Sequence, residues 1–290
     1  MTATSSAFVA TDEALGRVPV SAQRPGHHAY RAMFLGVPLH LMTMDQTVSA
    51  VMGQIRNRVP LHQVSLNVAK LVTLRRNREL AQDVMTADLI SADGMGIVLG
   101  ARLFGLAVPE RVAGVDLMDK VLAACAAEGY RPYFLGARAD VLSKAMHRIS
   151  ERFPALKVAG CHHGYYAPSE EEGLVETIRR LQPDCLFVGM PTPRKERFMA
   201  RHHTRLAVPF TMGVGGSIDI LAGHVRRAPA LWQRCGLEWL YRFIQEPRRM
   251  WRRYLTTNTA FLILLIGEGF RRIVRPAGTR PAETEAATSP

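Results

Sequence analysis

The tract Ser91-Ala92-Asp93-Gly94-Met95-Gly96 sets one carboxylate where a short apolar stretch, Asp88–Ser91, runs into a helical pattern. In an open α/β sheet that junction faces the ligand, and a carboxylate there, with glycines beside it, has the position of a general base. Capping of the following helix is the plain alternative for Asp93. A second junction, Gly213-Val214-Gly215-Gly216-Ser217, brings Gly213, Gly215 and Gly216 to a strand-to-helix turn. Peptide N–H groups in such a turn can face an anion such as a diphosphate. The turn is not a P-loop, because no Gly-Lys-Ser/Thr follows. Nor is it a dinucleotide fingerprint, whose third glycine falls on Ile218. A tight turn without a ligand remains the alternative. The third tract, Met190-Pro191-Thr192-Pro193-Arg194-Lys195-Glu196, stands at the end of the strongest buried-strand pattern, Asp184–Met190. It puts Arg194 and Lys195 in a first helical turn, where the helix dipole disfavours cations. Such a local conflict is typical of a functional site, against the alternative of a solvated charge run.

These junctions need elements to hold them. Strand patterns lie at His62–Leu66, Asp88–Ser91, Arg131–Leu135, Lys157–Gly160, Asp184–Met190 and Val208–Val214. Helical patterns lie at Lys70–Asp83, Gly94–Leu103, Gly114–Glu128, Asp140–Phe153, Ser169–Leu181, Arg194–His203 and Ser217–Leu221. The alternation predicts an α/β, Rossmann-like, mostly parallel sheet with helices on both faces. After Gly223 only helical patterns follow, at Ala230–Gln245 and Pro247–Gly267. The expected organisation is a mobile tail at 1–28, an α/β catalytic domain at 29–223, a basic helical membrane-associating appendage at 224–275 and a disordered tail at 276–290.

The charge pattern supports the appendage. Of 37 basic residues only five are Lys, and the formal net charge is +12. From His224 to Arg275 eleven Arg stand against three Glu, so this segment alone carries +8, interleaved with Trp232, Trp239 and Trp251. Arg and Trp at amphipathic helical spacing suit a surface that meets phosphate and apolar chains together. The longest apolar run, Ala260 to Gly267, is far below the roughly 20 residues that span a bilayer. The N-terminus shows no basic region followed by an apolar core, so no secretory signal is expected. Four scattered Cys without a CxxC argue against a zinc site or a disulfide framework. The ten His, among them the pairs 27–28, 162–163 and 202–203, lack the i, i+4 spacing of a helical metal site and read as surface or loop residues. No protein-held metal is expected. The positive charge also suits a basic nucleic-acid-binding protein, but no helix-turn-helix, zinc-finger or RNP-like motif accompanies it. A nicotinamide-dependent oxidoreductase would need the missing fingerprint.

In this order the motifs resemble the WecG/TagA/CpsF glycosyltransferases (glycosyltransferase family 26), over about Met33 to Tyr254. The carriers are VSLN (64–67), SADGMGIV (91–98), ERVAGVDLM (110–118), YFLGA (133–137), DCLFVGMPTPRKERFM (184–199) and the long block MGVGGSIDILAGHVRRAPALWQRCGLEWLYRFIQEPRR (212–249). The resemblance implies an inverting hexosyltransferase that moves sugar from a UDP-sugar to a polyprenyl-diphosphate-linked sugar at the inner face of the cytoplasmic membrane. It implies no cofactor and no metal, and it admits a homo-oligomer. Asp93 matches the general base proposed for such proteins, Ser65 and Asn67 a polar pair of the substrate pocket, and Arg111 a pocket arginine. Lys195 stands where many members have Gln, and residue 191 is Pro where many have Gly. Arg242, Arg249 and Arg252 match appendage arginines thought to reach the diphosphate. The Lys195 departure leaves the donor sugar open, and the linked polymer (surface antigen, teichoic acid linker or exopolysaccharide) is open too.

Overall fold

Short apolar runs separated by amphipathic helices build a single eight-stranded sheet in the computed structural model, which describes residues 31–234 and 236–274. The expected tails at 1–28 and 276–290 lie outside the described residues. The chain opens with a hairpin, β1 (Arg31–Phe34) and β2 (Val37–His40), then α1 (Met44–Asn57) and β3 (Leu61–Leu66). Two helices, α2 (Val68–Arg76) and α3 (Arg78–Met85), lead to β4 (Leu89–Ala92), and α4 (Met95–Leu103) and α5 (Gly114–Glu128) cross to β5 (Pro132–Gly136). There follow α6 (Ala139–Arg152), β6 (Gly160–His162), α7 (Glu171–Leu181), β7 (Cys185–Gly189), α8 (Arg194–Leu206), β8 (Phe210–Gly213) and the short α9 (Ser217–Leu221). The C-terminal helices are α10 (Ala230–Arg234), α11 (Glu238–Gln245) and α12 (Pro247–Val274).

The strand order is β1-β2-β4-β3-β8-β7-β5-β6, with β1 antiparallel to β2 and the other described pairings parallel. The α/β expectation, a mostly parallel sheet covered on both faces, therefore holds. Each half of the chain supplies one half of the sheet, and they meet where β3 pairs with β8, Leu61 with Phe210 and Gln63 with Met212. That seam is the topological switch point, where open sheets bind ligands at the carboxyl ends of their strands. One face carries Val64, Leu66 and Ile90 under α2, α3, α4, α7 and α8; the other carries Leu61, Leu89 and Phe187 under α1, α5, α6 and α9.

Several elements differ from the sequence reading. The β1–β2 hairpin was not foreseen, because its turn uses Leu35 at φ 48° before Gly36 at φ 78°. Leucine seldom adopts that left-handed region, so the usual Asn-Gly signal is missing. Nor was α1 foreseen, although it starts with a capping box. The Gln46 N–H donates to Thr43 Oγ1 at 3.1 Å and the Thr43 N–H to Gln46 Oε1 at 2.9 Å. The single helix expected over Lys70–Asp83 is two, split at Asn77, whose Oδ1 accepts from the Leu80 N–H at 2.9 Å and starts a second helix. The strand expected at Lys157–Gly160 forms later, at Gly160–His162, and the pattern over Ala230–Gln245 breaks around Gly236, at φ 73°.

The last helix is part of the core packing. Phe261 and Ala260 of α12 are buried with Phe34, Ile97 and Ala101. A Cβ on Gly100 would stand 2.9 Å from Phe261 Cζ and 3.1 Å from Phe34 Cζ, so glycine lets α12 close on α4. Among the described residues no helix is long and apolar enough to cross a membrane.

Candidate active site

Asp93 follows β4, and its peptide N–H donates to Leu66 O of β3 at 2.8 Å, which fixes the backbone at the strand ends. It does not cap α4: the N-cap there is Gly94, at φ 103°, with no side-chain cap bond. Instead its carboxylate accepts the N–H of Gly114, the first residue of α5, whose own N-cap, Ala113, offers no side chain. Gly114 has to be small here, because a Cβ would stand 3.0 Å from Ser65 Oγ and 3.7 Å from Asp93 Oδ2. Asp93, Ser65 and the start of α5 thus form one group at the ends of β3 and β4. Burial pushes the Asp93 pKa up to about 6; Arg111 opposes this, Glu238 reinforces it, and the Gly114 N–H and Lys70 also oppose it. A carboxylate poised there is ionised at neutral pH yet basic enough to accept a proton.

Ser65 is buried, and Gln63 Nε2 donates to it at 3.2 Å and to Ser91 Oγ at 2.7 Å, a polar rung beneath the strand ends. Asn67 caps α2, its Oδ1 accepting the Lys70 N–H at 2.9 Å, so that oxygen is committed to the fold. Arg111 is nearly buried; it bonds Glu238 of α11 and lies 3.8 Å from Asp116. Arg227 joins the same group through Asp116 and reaches Glu238 at 4.0 Å.

On the β7–β8 side, Lys195 is buried at the start of α8, donates to Thr192 Oγ1, and stands 2.9 Å from Glu196 Oε1. Lys70 of α2 meets the same oxygen at 2.9 Å. Burial alone would raise the Glu196 pKa, but the two ammonium groups outweigh it and hold it down at about 2. The apparent dipole conflict is thereby resolved, since Glu196 lies in the same first turn. Arg194 turns the other way, over the Tyr166 ring at 4.3 Å and onto Tyr166 O at 2.9 Å. A Cβ on Gly213 would meet Lys195 Cδ at 3.4 Å and one on Gly215 its Nζ at 3.9 Å, so the lysine runs beneath the glycine turn. Gly215, at φ 51°, gives that turn its left-handed residue. Gly216 lies under Arg242, whose Nη2 would be 3.3 Å from a Cβ there and whose buried Nε has no hydrogen-bond partner among the described residues.

The predicted residues therefore gather in two clusters on one sheet edge. Asp93, Ser65, Asn67 and Arg111 stand at β3 and β4, and Lys195, Gly213, Gly215, Gly216 and Arg242 at β7 and β8. Arg252 joins neither: it is exposed and lies over the Trp251 ring at 5.3 Å. The Arg249 side chain lies outside the described residues. Sequence reasoning missed Gln63, Lys70, Glu196, Gly114 and Glu238. Glu196 was legible beside Lys195, whereas Glu238 is 127 positions from its partner Arg111. The histidines also need correction, because His40, His62 and His202 are buried rather than in surface loops. His40 Nδ1 lies 3.0 Å from the Ile90 N–H, His202 Nε2 lies 2.9 Å from Glu171 Oε1, and burial drives the His62 pKa down to about 3.

The structure is thus an α/β protein whose open, mostly parallel sheet gathers a carboxylate of raised pKa and several cationic side chains at its switch point, the edge where such sheets bind ligands. Residues 32–275 match the Glycosyl transferase WecG/TagA/CpsF family, and the chain belongs to that family. Its activity is accordingly glycosyl transfer between a sugar donor and an acceptor.

Proposed function

We propose that the chain is an inverting hexosyltransferase that moves a hexose from a UDP-sugar to a polyprenyl-diphosphate-linked sugar, in the synthesis of a bacterial surface or exopolysaccharide, working peripherally on the inner face of the cytoplasmic membrane. The observation that carries the catalytic part is Asp93, one sheltered carboxylate raised to about 6 at the carboxyl edge of β4. In the proposed step an acceptor hydroxyl oxygen attacks C1 of the donor sugar from the face opposite the phosphate. The C1–O bond to the diphosphate breaks, UDP leaves with the electron pair, and the hydroxyl proton passes to Asp93. Charge growing on the leaving diphosphate is met by Arg242 and the peptide N–H groups around Gly213, Gly215 and Gly216. Lys195, beneath the same turn, adds positive potential. Ser65 and Asn67 border the acceptor side next to Asp93, and Arg111 shapes the field there. Arg249 and Arg252, on α12, are assigned to the lipid diphosphate at the membrane surface.

The test is a panel of UDP-sugars assayed for transfer onto a short lipid-diphosphate sugar acceptor, with the anomeric configuration of donor and product compared by NMR. Transfer from at least one donor with inversion is expected. Retention of configuration, or transfer only from sugars on other carriers, removes the reading.

A further inference from the structure

Glu238 is the first residue of α11, and no established role accounts for its position. Its carboxylate bonds Arg111 and reaches Arg227 at 4.0 Å, while Asp116 lies 3.8 Å from Arg111 and also bonds Arg227. The neighbours of Arg111 are tied down: the Val112 peptide N–H donates to Ala92 O at 2.9 Å, next to Asp93, and the Glu110 side chain accepts the Met44 N–H through Oε1 at 2.5 Å. The guanidinium is held between Glu238 of α11, which it bonds directly, and Asp116 of α5 at 3.8 Å. The helix is itself seated at its entry and along its length. A Cβ on Gly236 would stand 2.6 Å from Met95 Cγ, two residues past Asp93, and one helical turn beyond Glu238 Arg242 lies over Gly216. So α11 bridges the loop after β4 and the turn after β8.

Charge makes the placement matter. A sheltered arginine beside a carboxylate pairs with it, and a base held in such a pair loses basicity and lone pairs. The Gly114 N–H bonds the Asp93 carboxylate, and the charges that act on it are Arg111, Glu238 and Lys70, with Asp116 and Arg227 paired in the same group as Arg111. Lys70 is committed to Glu196. Arg111 is therefore the cation that decides how free Asp93 remains.

We infer that Glu238 is a positioning residue for glycosyl transfer: paired with Arg111, it keeps that guanidinium from closing on the Asp93 carboxylate, so that the base stays free to take a proton. This rests on the transfer reading above with Asp93 as base.

The experiment compares wild type, Glu238→Gln, Glu238→Asp and Glu268→Gln in the UDP-sugar to lipid-diphosphate transfer assay across about pH 5 to 9. Glu268 pairs with Arg271 and Arg272 near the far end of α12, so its variant makes the same charge change remote from Asp93 and should match wild type. For Glu238→Gln we expect kcat to fall about tenfold, within what slight misplacement of a catalytic group costs. The acidic limb of the rate profile should move to lower pH, because Arg111 is released to Asp93. Glu238→Asp keeps the charge on a shorter arm; its kcat should fall while the limb moves less, and it carries the test if the Gln variant does not fold. Wild-type kcat and pH profile in both Glu238 variants overturn the inference. So does a lower acceptor KM at unchanged kcat, which makes Glu238 a plug that the acceptor displaces. Absence of transfer by the wild-type protein with every donor sinks the transfer reading instead, and the two failures are thereby distinct.

Discussion

At the scale of the residue, the burial that raises the Asp93 pKa, and with it the basicity that the proposed mechanism uses, is also a cost to the fold. Its pKa, about 6 in the folded chain against 3.8 for the free side chain, means that the folded state binds the extra proton between those values. Stability therefore falls as pH rises through that window, and the penalty is fully present above about pH 6. Asp93→Asn removes the charge and keeps the shape. Transfer should drop by about 10²- to 10⁴-fold, the usual contribution of a general base, while UDP binding by calorimetry stays close to wild type. The same variant should melt at a higher temperature than wild type at pH 7.5, and the gap should shrink toward pH 4. Near-wild-type turnover would remove Asp93 as the base; a melting gap that grows on acidification would contradict the burial argument. Wild-type kcat/KM should likewise rise with pH along a one-proton limb centred near 6. The sequence made Asp93 legible because its signal is local, a carboxylate between a short strand and a glycine. It could not show that the carboxylate caps α5 rather than α4, or that Glu238 holds Arg111, because both partners arrive from distant chain positions.

At the scale of the element, the site depends on a strut between the helices on one face of the sheet. Glu196 of α8 is fully buried and shared by Lys70 of α2 and Lys195. Its folded pKa of about 2, against 4.5 for the free side chain, makes this a stability contribution present above about pH 4.5 and lost as pH falls toward 2. Glu196→Gln takes the carboxylate from two buried ammonium groups and should cost about 3–5 kcal/mol in urea unfolding, the usual price of breaking a buried pair. Lys195→Gln leaves the Lys70–Glu196 pair in place and should cost much less; an equal loss in both would show that Lys195 is the main partner. The packing of α12 makes a parallel case. Phe261 fills the space over Gly100 beside Phe34, so Phe261→Ala should cost about 3 kcal/mol through the cavity it leaves, again read by urea unfolding. A change under half of that would mean that α12 is only loosely held. Elements with long apolar periods, such as β7 or α5, were legible with bounds nearly as observed. The hairpin and α1 were not, because four-residue strands and a half-polar helix carry little periodicity, and their signals are a left-handed Leu35 and a Thr-x-x-Gln cap.

At the scale of the whole molecule, α12 presents two unlike faces. Ala260 and Phe261 face the core, with Leu264 and Leu265 packed against it. Trp251, Leu255, Leu262, Ile266 and Phe270 are each between 47% and 64% exposed and recur at helical spacing, and Leu99 and Leu103 of the adjoining α4 extend the apolar surface. Arg252 is exposed among them and Arg271 and Arg272 lie near the helix end. An apolar stripe flanked by arginines, on a helix too polar to span a bilayer, is suited to lie in the plane of an anionic membrane surface. The expected outcome is co-sedimentation with vesicles rich in anionic phospholipid, weaker with zwitterionic vesicles and weakened further by salt, because the arginine contribution is screened. Leu262→Glu with Ile266→Glu removes two side chains from lipid contact. At about 1.5 kcal/mol or more each, that should weaken vesicle affinity by about 100-fold while circular dichroism stays unchanged. If the double variant binds vesicles as well as wild type, the stripe serves another purpose. A concentration-dependent shift in sedimentation velocity that the same two substitutions abolish would identify that purpose as contact between copies of the chain. Membrane seating of α12 and docking of α11 would then be separate events, since Phe261 and Glu238 point to the catalytic body while the exposed stripe points away from it.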